Sequence, residues 1–290
     1  MDVVVVAKRT AYAEHVLERH DPHAIRLLEA GDASVARWLQ AHSDHEHALT
    51  QVLEALGRRS LSHTVVPARS AFDASGVKLV LTVGGDGTLL SASHHVGSCP
   101  ILGVNSSPSH SRGFFCAARA ESVDEMLGQA LGAKLPQVRL ARMQVSVSGR
   151  LCSKRVLNEA LFCHSVPAAT SRYIIEFQGN AEEQRSSGIW VGTAAGSTAA
   201  LHSAGGEVLP LSSHALQLVV REPYIVPSGS YQFQKLIAQP GEVIAVRNKM
   251  HDAQLFLDGP FARFDVELGA VVQFSVSDEP LTLLGLNGAR

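Results

Sequence analysis

The hydrophobic pattern changes character about halfway along the chain. In the first part, short unbroken apolar runs alternate with longer mixed stretches. Val3 to Val6 is a continuous β-branched run, as expected of a strand covered on both faces of a parallel sheet. Tyr12 to Leu56 is rich in Ala, Leu, Glu and His and predicts helices, with a break at Gly31-Asp32 and a stop at Gly57. His63 to Pro67, Leu79 to Val83 and Ile101 to Val104 predict three further strands. Between the last two, a glycine turn leads into a helix expected from Thr88 to Val96. Ser122 is placed to cap a helix over Val123 to Leu131. Strand and helix alternate throughout, which predicts an α/β N-terminal domain, Rossmann-like, with a mainly parallel sheet.

After Pro136 the runs become short and β-rich. They cover Val138 to Val147, Val156 to His164, Tyr173 to Phe177, Gly188 to Thr193, Ala215 to Val220, Glu242 to Val246, Gln254 to Leu257 and Val271 to Val276. Turns such as Ser148-Gly149 and Pro240-Gly241 separate them, which predicts a largely antiparallel β C-terminal domain. Leu281 to Leu286 is placed to return to the first sheet. The expected division is residues 1–122 with 277–290 returning to them, and 123–276.

Composition narrows the class of partner. Hydrophobic residues make up 46% of the chain, ordinary for a globular protein. A net charge of −2 provides no basic field for nucleic acid, and 6% aromatics offers few stacking platforms. No apolar run reaches the ~18 residues of a membrane span. The four cysteines (Cys99, Cys116, Cys152, Cys163) form no C-x-x-C pair, so reduced thiols and a cytoplasmic address are expected.

Three segments carry chemistry. In Gly84-Gly85-Asp86-Gly87-Thr88 a buried strand ends in glycines around one carboxylate. Glycine lets the backbone turn sharply and approach a ligand, and a following helix N-terminus favours phosphate. Asp86 either caps the helix or handles a hydroxyl or metal beside the phosphate. Asn158-Glu159 puts an amide and a carboxylate, poor strand residues, inside an apolar run. They mark either an exposed strand end or polar groups aimed into a pocket, the amide on a base edge and the carboxylate on ribose hydroxyls. Thr193-Ala194-Ala195-Gly196-Ser197-Thr198 follows a strand with tiny residues and hydroxyls. It is either a helix start packed closely on a sheet or a loop against which a ligand lies. Neither glycine loop has P-loop or dinucleotide-fingerprint spacing.

In this order the three segments, with Gly103-Val104-Asn105 and Asp258-Gly259, resemble the NAD kinase family over most of the chain. Ser203-Ala204-Gly205-Gly206 and Val220-Arg221-Glu222-Pro223 look most like its plant NADH kinase branch and bacterial relatives. The resemblance implies ATP-dependent phosphorylation of the 2′-hydroxyl of the adenosine ribose of NAD⁺ or NADH, with Mg²⁺ arriving with ATP and no metal fixed by the protein. It implies Asp86 as the base and Gly84, Gly85, Gly87 and Thr88 around phosphate. Asn158 and Glu159 would hold the adenosine half, and Thr193, Gly196, Ser197 and Thr198 would line the rest. Asn105, Ser187 and Asp258 fall at family nucleotide-site positions, and Phe114 and Phe115 match an aromatic pair bordering that pocket. A homodimer is implied too. The chain departs from the common pattern at Ser187, where aspartate is usual, at Ala200, where tyrosine is usual, and in the loop Ser106-Ser107-Pro108-Ser109-His110-Ser111. A lipid or sugar kinase of the same superfamily, or a non-enzymatic nucleotide sensor, are the alternatives.

Cations near strand ends are further candidates. Lys8 and Arg9 follow the first strand, where open α/β sheets place ligands, and Arg221 ends a later apolar strand; all three are candidate phosphate contacts. His42, His45 and His47 have a spacing that could suit a metal but read as a solvated loop or helix end. Glu182-Glu183-Gln184-Arg185 reads as an exposed turn.

Overall fold

The computed structural model describes residues 1–224, 231–259 and 262–286. It divides into two compact units, one of Met1–Val138 with the segment from Thr282, the other of Arg139–Leu281.

The first unit is the α/β one. Its strands are β1 (Val3–Ala7), β2 (His63–Pro67), β3 (Leu79–Gly84), β4 (Ile101–Asn105) and the short β5 (Ala118–Arg119), with β6 (Gln137–Leu140) at its end. β1, β2, β3 and β4 pair in parallel, so the chain must cross over between them on helices. Those helices are α1 (Pro22–Glu29), α2 (Trp38–Arg58), α3 (Asp86–Ser93) and α4 (Val123–Leu131), preceded by a π-helical turn at Ala13–Glu18. The continuous valine run of β1 is buried at every position, as covered parallel strands are. Ala48, Val52, Ala55 and Leu56 of α2 pack on Val3, Val5, Leu79, Leu81 and Leu102. Val123 and Leu127 of α4 join the same core. Arg59 also bonds both the carboxylate and the carbonyl of Asp124. These contacts place α4 in the first unit and move the division to Val138, later than the 122 expected.

Local differences from the expected elements have simple causes. α3 begins at Asp86, with Gly85 as its N-cap, so the aspartate lies inside the first turn. α2 runs through Gly57 to Arg58 because its apolar face reaches Leu56 in the core. Ser122 accepts from the amide of Arg119 at 3.0 Å and makes no cap bond to α4.

The second unit is a β-sandwich. Its strands run β7 (Met143–Val147), β8 (Arg150–Val156), β9 (Glu159–His164), β10 (Ser171–Phe177), β11 (Asn180–Ser186), β12 (Ile189–Gly192), β13 (Leu216–Val220), β14 (Lys235–Ala238), β15 (Ile244–Asn248), β16 (Ala253–Leu257), β17 (Ala262–Val266) and β18 (Val271–Val276). They form two sheets with orders β11-β10-β15-β18-β7-β8 and β14-β13-β12-β9-β16-β17, antiparallel in their pairings. Alternate residues from both sheets fill the core, among them Phe162, Tyr173, Ile175, Val191, Leu218 and Phe274. Residues 182–185 are strand, not turn. β11 is an edge strand whose polar side chains are used: Gln184 is buried, and Glu182 accepts from the amides of Gln232 and Phe233 at 2.7 and 2.8 Å. The last strand, β19 (Leu281–Leu284), re-enters the first sheet, whose order is β2-β1-β3-β4-β19-β6. No described helix is long and apolar enough to cross a membrane.

Candidate functional site

Parallel registers bring the ends of three strands level in the first unit. Ala7 pairs with Val83, and Gly84 pairs with Asn105. The residues leaving these strands therefore share the C-terminal edge of the sheet, where open α/β sheets bind ligands. The amide of Lys8 bonds the carbonyl of Val83 at 2.8 Å, which seats its side chain beside Gly84. A Cβ at Gly84 would strike the hydroxyl of Thr88 and crowd the Lys8 side chain. The glycine is needed because helix and strand meet there without a gap. A cleft of about 1050 Å³ opens along this edge, lined by Lys8, Arg9, His45, Arg69, Asp86 and Thr88 among others. Arg9 is paired with Glu18, so one of the two expected phosphate cations already has a carboxylate partner.

Asp86 is held from outside its own helix. Its two carboxylate oxygens accept the amides of Phe114 and Phe115 at 2.9 and 2.8 Å. The two rings meet edge to face at 5.1 Å, Phe115 buried and Phe114 at the surface. Asn105 turns inward. Its amide donates to the carbonyl of Ser111 at 2.9 Å and its oxygen accepts from the amide of Ser107, so it shapes the following loop. Cys116 lies behind the turn, its thiol pushed up to about 12 by burial and by the charge of Asp86, so it stays protonated.

The histidine cluster is folded into this edge. All three histidines lie on α2. His42 meets the Thr10 hydroxyl at 2.9 Å, and His45, buried, meets the Ser106 hydroxyl at 3.1 Å. Burial above all, then the nearby Lys8 and His42 side chains, lower the His45 pKa to about 4, so it is neutral at physiological pH. His47 faces solvent. No described group of three or more His, Cys, Asp or Glu side chains is arranged to hold a metal.

The second unit carries its own turn. Leu157 and Asn158 lie between β8 and β9, so the Asn-Glu pair sits at a strand break. Asp258, at the end of β16 with φ of 49°, turns its carboxylate onto that break. It accepts the amides of Leu157, Asn158 and Glu159 at 2.9, 2.8 and 3.1 Å. The residue thus orients the Asn-Glu backbone. Asn158 Oδ1 and Glu159 Oε2 are buried without a hydrogen-bond partner. Burial, with the Asp258 charge behind it, raises the Glu159 carboxyl to about 7. Buried polar oxygens without a partner are groups that a polar ligand could satisfy.

The Thr193–Thr198 loop closes on this break. Thr193 bonds the carbonyl of Leu157 at 2.5 Å through its hydroxyl and that of Asn158 at 3.0 Å through its amide. Gly192 and Gly196 press against the Asn158 carbonyl so closely that a Cβ at either would overlap it. Ser197 is buried, donating to Ala194 and accepting from Leu209. Of the three candidate hydroxyls only Thr198 is exposed; Thr193 and Ser197 hold the loop itself. Ser187 and Arg221 lie elsewhere in this unit, on a cavity of about 300 Å³ shared with Trp190, Phe256 and Cys163. The Arg221 guanidinium stands 5.6 Å from the centre of the Trp190 ring.

Sequence reasoning missed His45, Ser106 and the clamping role of Asp258. His42 and His45 stand one helical turn apart, a spacing that puts both on one face of α2. No comparable local signal exists for Asp258, which meets residues about a hundred positions away.

A glycine turn that opens a helix at the C-terminal edge of a parallel sheet is a feature of nucleotide-binding α/β proteins. Residues 13–131 match the ATP-NAD kinase N-terminal domain. The chain is 35% identical over 227 residues to the probable NADH kinase of Oryza sativa subsp. japonica, covering 71% of this chain and 70% of that one. It is 34% identical over 253 residues to the NADH kinase of Arabidopsis thaliana, covering 78% and 75%. It shares its fold with an NAD kinase from Archaeoglobus fulgidus in complex with ATP, with a TM-score of 0.69 at 21% identity over 100% of this chain and 96% of that one. The chain belongs to the NAD kinase family.

Proposed function

We propose that this protein transfers the γ-phosphoryl group of ATP to the 2′-hydroxyl of the adenosine ribose of NAD⁺ or NADH, giving NADP(H) and ADP. The observation that carries the reading is the placing of Asp86: a carboxylate in the first turn of α3, aimed by two amides, next to Gly87, which has open space beside its backbone. A ribose hydroxyl is a weak nucleophile, and a carboxylate within hydrogen-bond reach accepts its proton as the new P–O bond forms and the bond to the ADP oxygen breaks. Asp86 takes that role. Gly84, Gly85, Gly87, Thr88 and Lys8 receive phosphate on the same edge, where helix N–H groups without intrahelical partners favour anions.

Asn158 and Glu159 hold the adenosine half, which would satisfy their two unpartnered buried oxygens. Asp258 and Thr193 keep that pair in place, and Thr198 contributes the exposed hydroxyl of the loop. Mg²⁺ enters as part of the ATP substrate and offsets phosphate charge; it keeps several waters and is commonly held by substrate phosphates. The protein acts as a homodimer in the cytoplasm. Its four unpaired cysteines suit a reducing compartment, and the dimer rests on the resemblance to the family.

The deciding assay incubates purified protein with MgATP and NAD⁺ or NADH and measures NADP⁺ or NADPH. Product with either acceptor is expected; no product with both overturns the reading. Sedimentation equilibrium tests the dimer.

A further inference from the structure

The loop that aims Asp86 has short turns of its own, in which the amides of His110 and Ser111 donate to the Ser107 carbonyl at 3.0 and 2.9 Å, but no apolar anchor. Residues 106–113 are polar apart from Pro108 and Gly113, and positions 108–110 face solvent. Yet Ser106 and Ser107, where the loop starts, are buried at 3% and 4% exposure. What covers them is α2, and the contact is polar and paired. His45 meets the Ser106 hydroxyl at 3.1 Å, and the neighbouring Asp44 accepts from the Ser107 hydroxyl at 3.2 Å. Two adjacent helix residues engage two adjacent loop serines.

From there the bonds lead to the reacting carboxylate. The Ser106 amide donates to the Gly84 carbonyl at 3.1 Å, locking the loop's start to the glycine turn. Asn105 donates to Ser111 and folds the loop back. The loop's end then delivers the amides of Phe114 and Phe115 to Asp86. Gly113, with φ of 55°, makes the final turn against the Asn105 side chain, with no room for a Cβ. One loop is thus tied at its start to α2 and to Gly84, and at its end to Asp86. His42 treats the segment after β1 in the same way through Thr10, so this face of α2 fastens two of the loops that border the cleft. A buried imidazole needs a hydrogen-bond partner, and here that partner lies in the loop.

We infer that His45 and Ser106 form a positioning pair for the Asp86 carboxylate, with Asp44 and Ser107 as its second tie. The pair acts by fixing the Phe114 and Phe115 amides, since the His45 ring at the cleft wall is buried and its hydrogen bond runs to Ser106, and the inference rests on the reading of Asp86 as the base. Loosening it lets the carboxylate turn away from the line of attack, which lowers kcat and leaves the binding of both substrates in place.

The test uses the whole protein with Ser106→Ala, His45→Phe, His45→Asn and the double variant His45→Phe/Ser106→Ala. Steady-state kinetics and amide hydrogen exchange over residues 106–115 are the readouts. Ser106→Ala and His45→Phe are expected to lower kcat by about tenfold, with both KM values within about twofold. Both should speed exchange in the loop. His45→Asn places a polar group where Nδ1 stood and should recover most of the loss. The double variant should be no worse than the worse single one, as for two ends of one contact. Unmoved exchange, additive losses, or an asparagine no better than phenylalanine would overturn the inference. An inactive wild type defeats the kinase reading instead. Exchange is measured without turnover, so the two failures are distinguishable.

Discussion

The carboxylate of Asp258 accepts the amide of Asn158 at 2.8 Å, and those of Leu157 and Glu159 beside it. Three donors on one buried anion make a strong junction, since hydrogen bonds to charged groups contribute more than neutral ones. It joins the end of β16 to the break between β8 and β9, where the Asn-Glu pair lies.

Removing that anion leaves three buried N–H groups without it. Asp258→Ala is expected to lower the unfolding free energy by about 3 kcal/mol. Asp258→Asn tolerates the left-handed backbone but turns an NH₂ toward a donor, so it should recover less than half of the loss. Urea denaturation of the three proteins checks this. A loss below about 1 kcal/mol for the alanine variant would show that the clamp contributes little.

Asp86→Asn separates chemistry from shape. The amide is isosteric, and its oxygen still accepts one of the two Phe amides, but it takes no proton. Turnover should fall by about 10²- to 10⁴-fold. The melting temperature should fall by only a few degrees, because the NH₂ turned toward the other Phe amide lies at a partly exposed site. Near-normal turnover would remove Asp86 as the base.

Gly87 and Gly196 should answer differently to the same methyl group. A Cβ at Gly87 meets nothing within 4 Å, and the residue lies in α3, so Gly87→Ala is expected to gain up to about 1 kcal/mol of stability. The same methyl would stand where phosphate is proposed to approach, raising the KM for ATP by about fivefold or more. At Gly196 the Cβ would overlap the backbone of Asn158, and Gly196→Ala should cost about 2 kcal/mol. Thermal denaturation and ATP titration of both variants test the contrast. Equal stability of the two would count against the packing described.

Glu159 makes stability depend on pH in an unusual direction. Its pKa is raised to about 7 in the folded protein, first by burial and then by Asp258, so the folded state holds this proton more tightly than the unfolded state. The carboxyl therefore does not penalise the fold below about pH 4.5. The penalty grows as pH rises through about 7 and is complete above it. Glu159→Gln removes the ionisation. Its stability advantage over the wild type should be on the order of 2–3 kcal/mol larger at pH 8 than at pH 5, from denaturation at both values. An advantage independent of pH would show that the carboxyl titrates in its ordinary range.

Much of the architecture is legible in the chain because its signals are local. The runs Val3–Val6 and Leu79–Val83 are β-branched and unbroken, and both are buried strands. The glycines around Asp86 announce a strand-to-helix turn, and one lies there. β11 was hidden because an edge strand needs no apolar alternation; its Glu182 accepts from the amides of Gln232 and Phe233 and from the side chain of Gln184 on the same strand. His45 was hidden for a related reason. Its partner Ser106 is 61 residues away, and a polar residue on a helix reads as solvated unless the loop that buries it is known. Thr193 and Ser197 are candidates for a ligand loop by sequence, but their hydroxyls bond that loop's own surroundings, to the carbonyls of Leu157 and Ala194.

The position of β19 has a consequence for how the protein is made. This strand, Leu281–Leu284, stands between β4 and β6, with Leu283 opposite Ile101. The ribosome delivers the other strands of that sheet first and this inner strand after them. During synthesis the Ile101 end of β4 therefore waits with unpaired backbone groups, an edge that invites mispairing. The strand that closes the sheet arrives only after the whole β unit has been synthesised. A nascent chain thus holds its first sheet open beside Ile101 until the β unit has been synthesised, although β1, β3 and β4, which carry the glycine turn, can pair beforehand.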